Sequence, residues 1–398
     1  LKHPTMSNAT DPNNTIIVLG AGLAGLSLSL GLARQGYHVE LVEKNLDFSR
    51  TGATFGLARN GRKALDELCP GVAEELIELG VHMPSTGGTM LGWWNVRDAL
   101  LKRVRQETDM IHLCTGWMVQ EVVNGETSVT ARFKKRNAEE EMTVEALVLV
   151  GADGVNSAVR GFHKLPSATK VNIMLWRGRL VVPPKEGESE AADLLRPYLD
   201  IPVVPFGIRL RGPLNYVLFN FHPKIPGTMG LVLNYQGDDV EDISAGATPH
   251  EFMKAGAEDE KELKEIQAIL DLTEKDGLTH PVRLKVVELP KEDGSGWGGK
   301  GRVTLTGDAA HGMRPASGQG GSMAFEDSVV LCRVLKKLKE ESNGEPPSKT
   351  AVEQALQDFE NTRLPRVRKI WDDQWERSEM VYHNKEMEPW SKEFENWV

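Results

Sequence analysis

Ile16 to Ala33 forms eighteen consecutive residues without a charge, the lower limit for a helix that crosses a bilayer. Four glycines break the run: Gly20, Gly22, Gly25 and Gly31. They divide it into a β-rich strand, Thr15 to Leu19, a tight turn, and an apolar helix ending near Arg34, so a soluble fold is the preferred reading. A second apolar strand, Tyr37 to Val42, ends on Glu43. Strand, helix and strand in this order predict a βαβ unit.

From Arg50 to about Arg105 the spacing is mostly helical, with helices expected at Arg62 to Leu68, Val72 to Leu79 and Trp94 to Val104. Trp117 to Phe133 and Met142 to Val150 read as strands, joined by the charged turn Lys134 to Glu141. Between about Val171 and Leu289 the runs shorten and alternate: Ile173 to Val182, Tyr216 to Phe221 and Gly230 to Tyr235 predict a second, β-rich domain. Within it Leu263, Ile266 and Leu270 share one face of an amphipathic helix. Period-two alternation puts Tyr216, Leu218, Asn220 and His222 on one strand face and Val217, Phe219 and Phe221 on the other, and either face could line a pocket. Arg302 to Thr306 returns to a buried strand. The helix beginning near Gly321 carries Phe325, Val329, Val330, Val334 and Leu338 at helical spacing, and after the polar loop Glu340 to Lys349 a last helical region holds Arg363 and Arg366.

Composition narrows the function classes. The 398 residues carry 47 Lys and Arg against 57 Asp and Glu, a net charge of −10 with no long basic run. Nucleic acid and anionic membrane surfaces are poor partners for such a chain, and a small molecule is the better one. Cys69, Cys114 and Cys332 lie far apart, with no C-x-x-C motif and no Cys/His cluster in the spacing, so neither a disulfide framework nor a metal site is expected. A reducing, cytoplasmic compartment is the default expectation. An organelle address stays open, because the chain starts at Leu1 and its true N-terminus can lie upstream.

The chemistry begins at Gly20-Ala21-Gly22-Leu-Ala-Gly25, a G-x-G-x-x-G turn between strand and helix. The first glycine permits the turn, the second lets backbone approach a pyrophosphate, and the third lets helix and strand pack, while the helix N-terminus favours negative charge. Glu43, eighteen residues after the third glycine, is placed to accept hydrogen bonds from an adenosine ribose. A dinucleotide follows, but FAD and NAD are not separated by this turn.

Two later segments separate them. Gly151-Ala-Asp153-Gly154-Val-Asn-Ser157-Ala-Val-Arg160 leaves an apolar strand, and Gly307-Asp308-Ala-Ala-His311-Gly-Met-Arg-Pro315-Ala-Ser-Gly318-Gln-Gly320-Gly321 precedes Glu326-Asp327. With the N-terminal turn, in this order and spacing, they resemble the FAD-dependent aromatic-ring hydroxylases, the group A flavoprotein monooxygenases, and Trp176-Arg177-Gly178 is similar to a strand of their salicylate-hydroxylase-like and zeaxanthin-epoxidase-like branch. The resemblance runs from about residue 15 to 375. It implies an α/β fold: a discontinuous Rossmann-like FAD-binding domain and a β-sheet substrate domain. The corresponding division is a disordered segment at 1–14, FAD-binding parts at 15–170 and 290–345, a substrate domain at 171–289 and a helical region at 346–398.

The resemblance also implies site residues. Asp308 would hold the ribityl chain, and Pro315, Gly318, Gly320 and Gly321 would pass close to the flavin, with the following helix aimed at the ring edge where reduction places charge. Arg97, opening a helix, matches an arginine near the FAD pyrophosphate. Asp153 and Arg160 match positions linked to flavin and NAD(P)H, against the plain alternative of a capped helix turn and a surface arginine. Ala21, Lys44 and Ala53 join the cofactor set, Ala53 within Gly52 to Asn60, a segment expected to pass over the ring with Thr54 and Arg59 in place of the usual glycine and proline. His311 is expected to be structural. Arg177, in Trp176-Arg177-Gly178, is the candidate catalytic residue, able to stabilise a phenolate or carboxylate, with a structural salt bridge as the alternative. Some relatives place a tyrosine near Phe206, which has no hydroxyl to hold a phenol.

The implied cofactors are FAD and, as co-substrate, NAD(P)H. In the implied reaction a flavin C4a-hydroperoxide formed with O2 delivers one oxygen atom to an aromatic or other electron-rich substrate. Epoxidation of an isoprenoid alkene is the alternative within the fold. A halogenase would need W-x-W-x-I-P, and the nearest stretch is Trp93-Trp94-Asn95-Val96. A non-enzymatic carrier on the same fold is the alternative from another class, and the complete segment around Asp308 argues against it.

Overall fold

A computed structural model describes residues 11–48, 54–83, 87–183, 185–187, 189–199, 214–220, 227–237, 240, 260–273, 281–290, 297–315 and 318–382. The chain opens with β1 (Thr15–Leu19), α1 (Leu23–Arg34) and β2 (His38–Glu43), the expected βαβ unit. Then come β3 (Thr54–Leu57), α2 (Arg59–Leu68), α3 (Val72–Leu79), β4 (Val81–Met83), β5 (Gly88–Gly92), α4 (Trp93–Val104) and β6 (Ile111–Thr115). Strands β7 (Trp117–Asn124), β8 (Val129–Lys135), β9 (Glu141–Ala146) and β10 (Val148–Gly151) precede α5 (Ala158–Phe162) and the long β11 (Thr169–Val181). The remainder is α6 (Glu190–Leu195), β12 (Leu214–Asn220), β13 (Thr228–Gln236), α7 (Glu260–Leu272), β14 (Val282–Val286), β15 (Val303–Leu305), α8 (Asp308–His311), α9 (Gly320–Glu341) and α10 (Lys349–Tyr382).

The central sheet has the order β15-β10-β1-β2-β6, and every pairing is parallel. All five residues of β1 are buried, as a strand covered on both faces requires, which is why it reads as an unbroken apolar run. Helix α1 is buried from Leu23 to Ala33 for a related reason: it packs between the sheet and α9. Gly31 permits that approach, since a Cβ there would lie 2.7 Å from Cys332 Sγ and 2.6 Å from Leu68 Cδ2. This core continues through α2, α4, α9 and α10.

A second sheet, β12-β13-β11-β14, is antiparallel. One of its faces carries Met174, Trp176, Leu180, Leu231 and Leu233 into a separate buried cluster with Ala192, Leu195, Ala268 and Ile269 from α6 and α7. Its other face carries Arg177 and Arg179, because successive strand residues alternate.

Several elements differ from the expectation. Met142 to Val150 is two strands divided at Leu147: β9 joins the antiparallel β7-β8-β9 sheet and β10 the parallel one. Trp117 to Phe133 likewise divides into β7 and β8. The stretch read as helical between Arg50 and Arg105 also holds the sheet β3-β5-β4, whose strands are too short to show alternation. Strand β6 had no sequence signal: it is an edge strand, and only Ile111 and Cys114 are buried. On α7, among the described side chains, Glu265, Ala268, Ile269 and Leu270 are buried and Leu263 is exposed; the Ile266 side chain lies outside them.

Candidate functional site

The strand ends β1, β2 and β10 converge on the Gly20 turn. Gly20 has φ +101°, and a Cβ there would lie 2.4 Å from the Ala152 carbonyl oxygen. A Cβ on Gly25 would lie 1.8 Å from the Gly20 carbonyl oxygen. Both glycines are therefore demanded by packing. Gly22 differs: a Cβ there meets nothing within 4 Å, and no side chain caps the α1 N-terminus that begins beside it. Open space in front of bare helix N–H groups is the setting that a pyrophosphate needs. Glu43 is buried at the end of β2; its Oε2 accepts from the Ala21 N–H at 2.9 Å, and Oε1 accepts from Asn45 N at 2.9 Å and Asn45 Nδ2 at 2.8 Å. Lys44 beside it is exposed.

The third motif follows β15 and supplies the second group of candidate residues. Asp308 heads α8 with an exposed side chain, yet the surrounding protein desolvates its carboxyl and pushes its pKa up, against the pull of His311 and Arg177. Exposure and desolvation together describe the floor of a cleft. Arg177 reaches this floor from the second sheet: its half-buried guanidinium is held down in pKa by burial, and Asp308 is the charge that opposes this. Pro315 and Gly318 are exposed, Gly320 and Gly321 half-buried, and Gly318 uses φ +65°. Helix α9 begins at Gly320, and a Cβ on Gly321 would lie 2.1 Å from the Phe55 ring, which packs edge-on against Phe325 with centroids 6.1 Å apart. Strand β3 thus meets the helix start; Ala53 and Phe206 lie outside the described residues.

Two residues sit in other settings than expected. Arg97 does not open a helix: α4 starts at Trp93, and Arg97 is 5% exposed, between the Phe48 and Trp93 rings, donating to the Phe48 carbonyl and Asp98 Oδ1. Arg160 is no surface arginine; it is buried and donates to the carbonyls of Pro166 and Ala309, tying α5 to α8. Ser157 caps α5, and Asp153 Oδ2 accepts from Ala158 N at 2.7 Å, while its buried Oδ1 has no hydrogen-bond partner among the described residues.

Behind Asp308 lies an ionic network that sequence spacing did not assemble. Asp327 Oδ2 contacts His311 Nε2 at 2.7 Å and accepts from Gly307 N at 2.9 Å, and its Oδ1 accepts from Arg363 Nε at 2.7 Å. Glu326 accepts from Arg363, Arg366 and Asn60 at 2.8, 3.0 and 2.7 Å. Burial alone would raise the Asp327 pKa, but His311 and Arg363 outweigh it and hold the carboxyl far below its usual range. His311 is fully buried in this network, a structural setting as expected. The adjacent Glu326-Asp327 pair and two arginines three residues apart were the available signals; only the fold shows that they meet.

Comparison with known proteins agrees with this layout. The FAD binding domain family profile matches residues 71–181 and 256–374, and a profile for NAD(P)-binding Rossmann-like domains matches 18–67. A kynurenine 3-monooxygenase of Salinispora arenicola is 30% identical over 359 residues, 80% of this chain and 72% of that one. A 3-amino-4-hydroxybenzoate 2-monooxygenase of Streptomyces platensis is 26% identical over 385 residues, covering 92% of this chain and 88% of the relative. The crystal structure of CtdE with FAD and a substrate superposes with a TM-score of 0.75 at 16% identity over 93% of this chain and 90% of that one, a likeness of fold.

Proposed function

Because the chain belongs to the FAD binding domain family and is an FAD-dependent monooxygenase, we propose that it hydroxylates an anionic aromatic substrate, an aromatic carboxylate or phenolate, using NAD(P)H as reductant. The observation that carries this reading is Arg177, a half-buried cation on the cleft face of β11 that Asp308 couples to from the cofactor side. A low-dielectric cleft with a fixed cation favours an anion and disfavours a hydrocarbon such as a carotenoid, which speaks against the epoxidase reading. The Streptomyces platensis relative is itself named for an aromatic acid.

The residues fit FAD. Gly22 and the uncapped start of α1 would take the pyrophosphate, with Gly20, Ala21 and Gly25 shaping the turn and Glu43 accepting from the ribose. Asp308 would accept from the ribityl hydroxyls, and Pro315, Gly318, Gly320 and Gly321 would line the ring. Arg97 and Lys44 would lie along the phosphates, Ala53 beside the ring, and the unpaired Asp153 Oδ1 at the cleft edge. Bound FAD supplies the redox and oxygen-activating chemistry. The chain supplies orientation through Arg177, a water-poor enclosure between the two sheets, and helix N-termini that favour negative charge on the cofactor. The two buried clusters support a division into a FAD domain and a substrate domain near residues 170 and 289, and three free cysteines suit a reducing compartment.

Two variants test the reading. Asp308→Ala is expected to lower FAD occupancy at least tenfold while leaving the melting curve of the apoprotein in place. Arg177→Gln is expected to keep FAD and basal NAD(P)H oxidation but raise KM for an aromatic acid ~10- to 100-fold, the loss of one charge-assisted contact. Normal FAD occupancy and turnover in Asp308→Ala would overturn the cofactor assignment, and an unchanged KM in Arg177→Gln would overturn the anionic-substrate assignment.

A further inference from the structure

Spacing along the chain gave no Cys/His cluster, but the parallel register of β2 and β6 makes one. Glu40 pairs with His112 and Val42 with Cys114, and period-two alternation keeps His112 and Cys114 on the same sheet face. His112 Nδ1 lies 2.8 Å from Glu40 Oε2 and 3.5 Å from Cys114 Sγ. The three donor atoms all lie within 4.8 Å of one another. We propose that Glu40, His112 and Cys114 bind one divalent zinc-class ion, clipping the edge strand β6 to β2.

The donor set and the distances both suit zinc. One carboxylate oxygen, one imidazole nitrogen and one thiolate sulfur form a mixed, borderline-soft set that magnesium and calcium do not choose. With zinc bonds of ~2.0–2.1 Å to nitrogen and ~2.3 Å to sulfur, a tetrahedral angle separates the two ligand atoms by about 3.5 Å. That is the spacing already present between His112 Nδ1 and Cys114 Sγ. The shorter Glu40 contact is a hydrogen bond that an incoming ion replaces, taking the place of the shared proton. Access is open from one side, with 27% of the His112 side chain exposed, which leaves a fourth position for water.

The site is separate from the cofactor cradle. Glu40 and Glu43 lie three residues apart on β2, hence on opposite sheet faces. Zinc takes the imidazole and the thiol in their deprotonated forms. Binding therefore expels protons, and affinity rises with pH.

Calorimetric titration of Zn2+ into the chelator-stripped, FAD-loaded protein tests this. One ion per chain is expected, with release of protons to buffer, weakened about 10-fold in Glu40→Gln and at least 100-fold in His112→Gln and Cys114→Ser, while the flavin spectrum is unchanged. Co2+ is expected to give a thiolate charge-transfer band in the difference spectrum that Cys114→Ser lacks. A measurement on the unmutated protein stands beside the variants: zinc should protect Cys114, and not Cys69, from alkylation read by mass spectrometry. No binding, equal binding by the variants, or Cys114 alkylated at the same rate with and without zinc would each overturn the proposal and leave the trio a metal-free hydrogen-bonded cluster.

Discussion

At the residue scale, Glu360 shows how burial sets a pH response. Its side chain is 1% exposed, and its Oε1 accepts from Thr304 Oγ1 at 2.7 Å and Gly299 N at 3.0 Å. Desolvation outweighs these bonds and pushes the pKa up from 4.5 to about 7. The unfolded chain therefore loses this proton before the native state does. The stabilisation is complete below the unfolded pKa and is lost as pH rises through 7, a swing on the order of 3 kcal/mol from this one group. Glu360→Gln should flatten that part of the profile. Denaturation followed from pH 4.5 to 8 on both proteins checks it, and parallel profiles would exonerate Glu360.

At the scale of elements, the Gly20 turn separates two kinds of glycine that the motif spells alike. Gly25→Ala drives a methyl into the Gly20 carbonyl, 1.8 Å away, and should destabilise the fold by roughly 1–3 kcal/mol or more even without cofactor. Gly22→Ala meets open space, so the apoprotein should melt unchanged while FAD affinity falls. Apoprotein melting and FAD titration of the two variants distinguish these outcomes. The turn was legible because glycine spacing, flanking strand and trailing acid all encode local geometry. Strand β6 was not, since an edge strand with two buried residues carries no strong period. The start of α4 was legible to within one residue, Trp94 by spacing against Trp93 in the fold.

At the scale of the whole molecule, distant segments meet at single residues. Arg363 on α10 holds both Asp327 and Glu326, which in turn reach Gly307, His311 and Asn60 on α2. Arg363→Leu would leave two carboxylates buried with a partner missing, a loss of about 3–5 kcal/mol. Chemical denaturation of the variant checks this, and the same loss should appear in apoprotein and holoprotein if the network supports the fold ahead of the cofactor. Sequence pattern showed the α/β class and the cofactor turn because both rest on local periodicity. It could not show the Arg363 network, the pairing of Glu40 with His112, or the approach of Arg177 to Asp308, which depend on contacts between residues far apart in the chain.

The parallel sheet also has a consequence for synthesis. Its central strand β1 needs β10 on one side, and β10 needs β15, which ends at Leu305. At ~5–20 residues per second the ribosome takes roughly 15 to 60 s to travel from β1 to β15. Through that interval the uncharged stretch from Ile16 to Ala33, wholly buried from Leu23 onward in the finished protein, is only partly covered, since α9, which packs on α1, is not yet made. The nascent chain is thus a client for holding chaperones, and FAD can be loaded only after most of the polypeptide has left the ribosome.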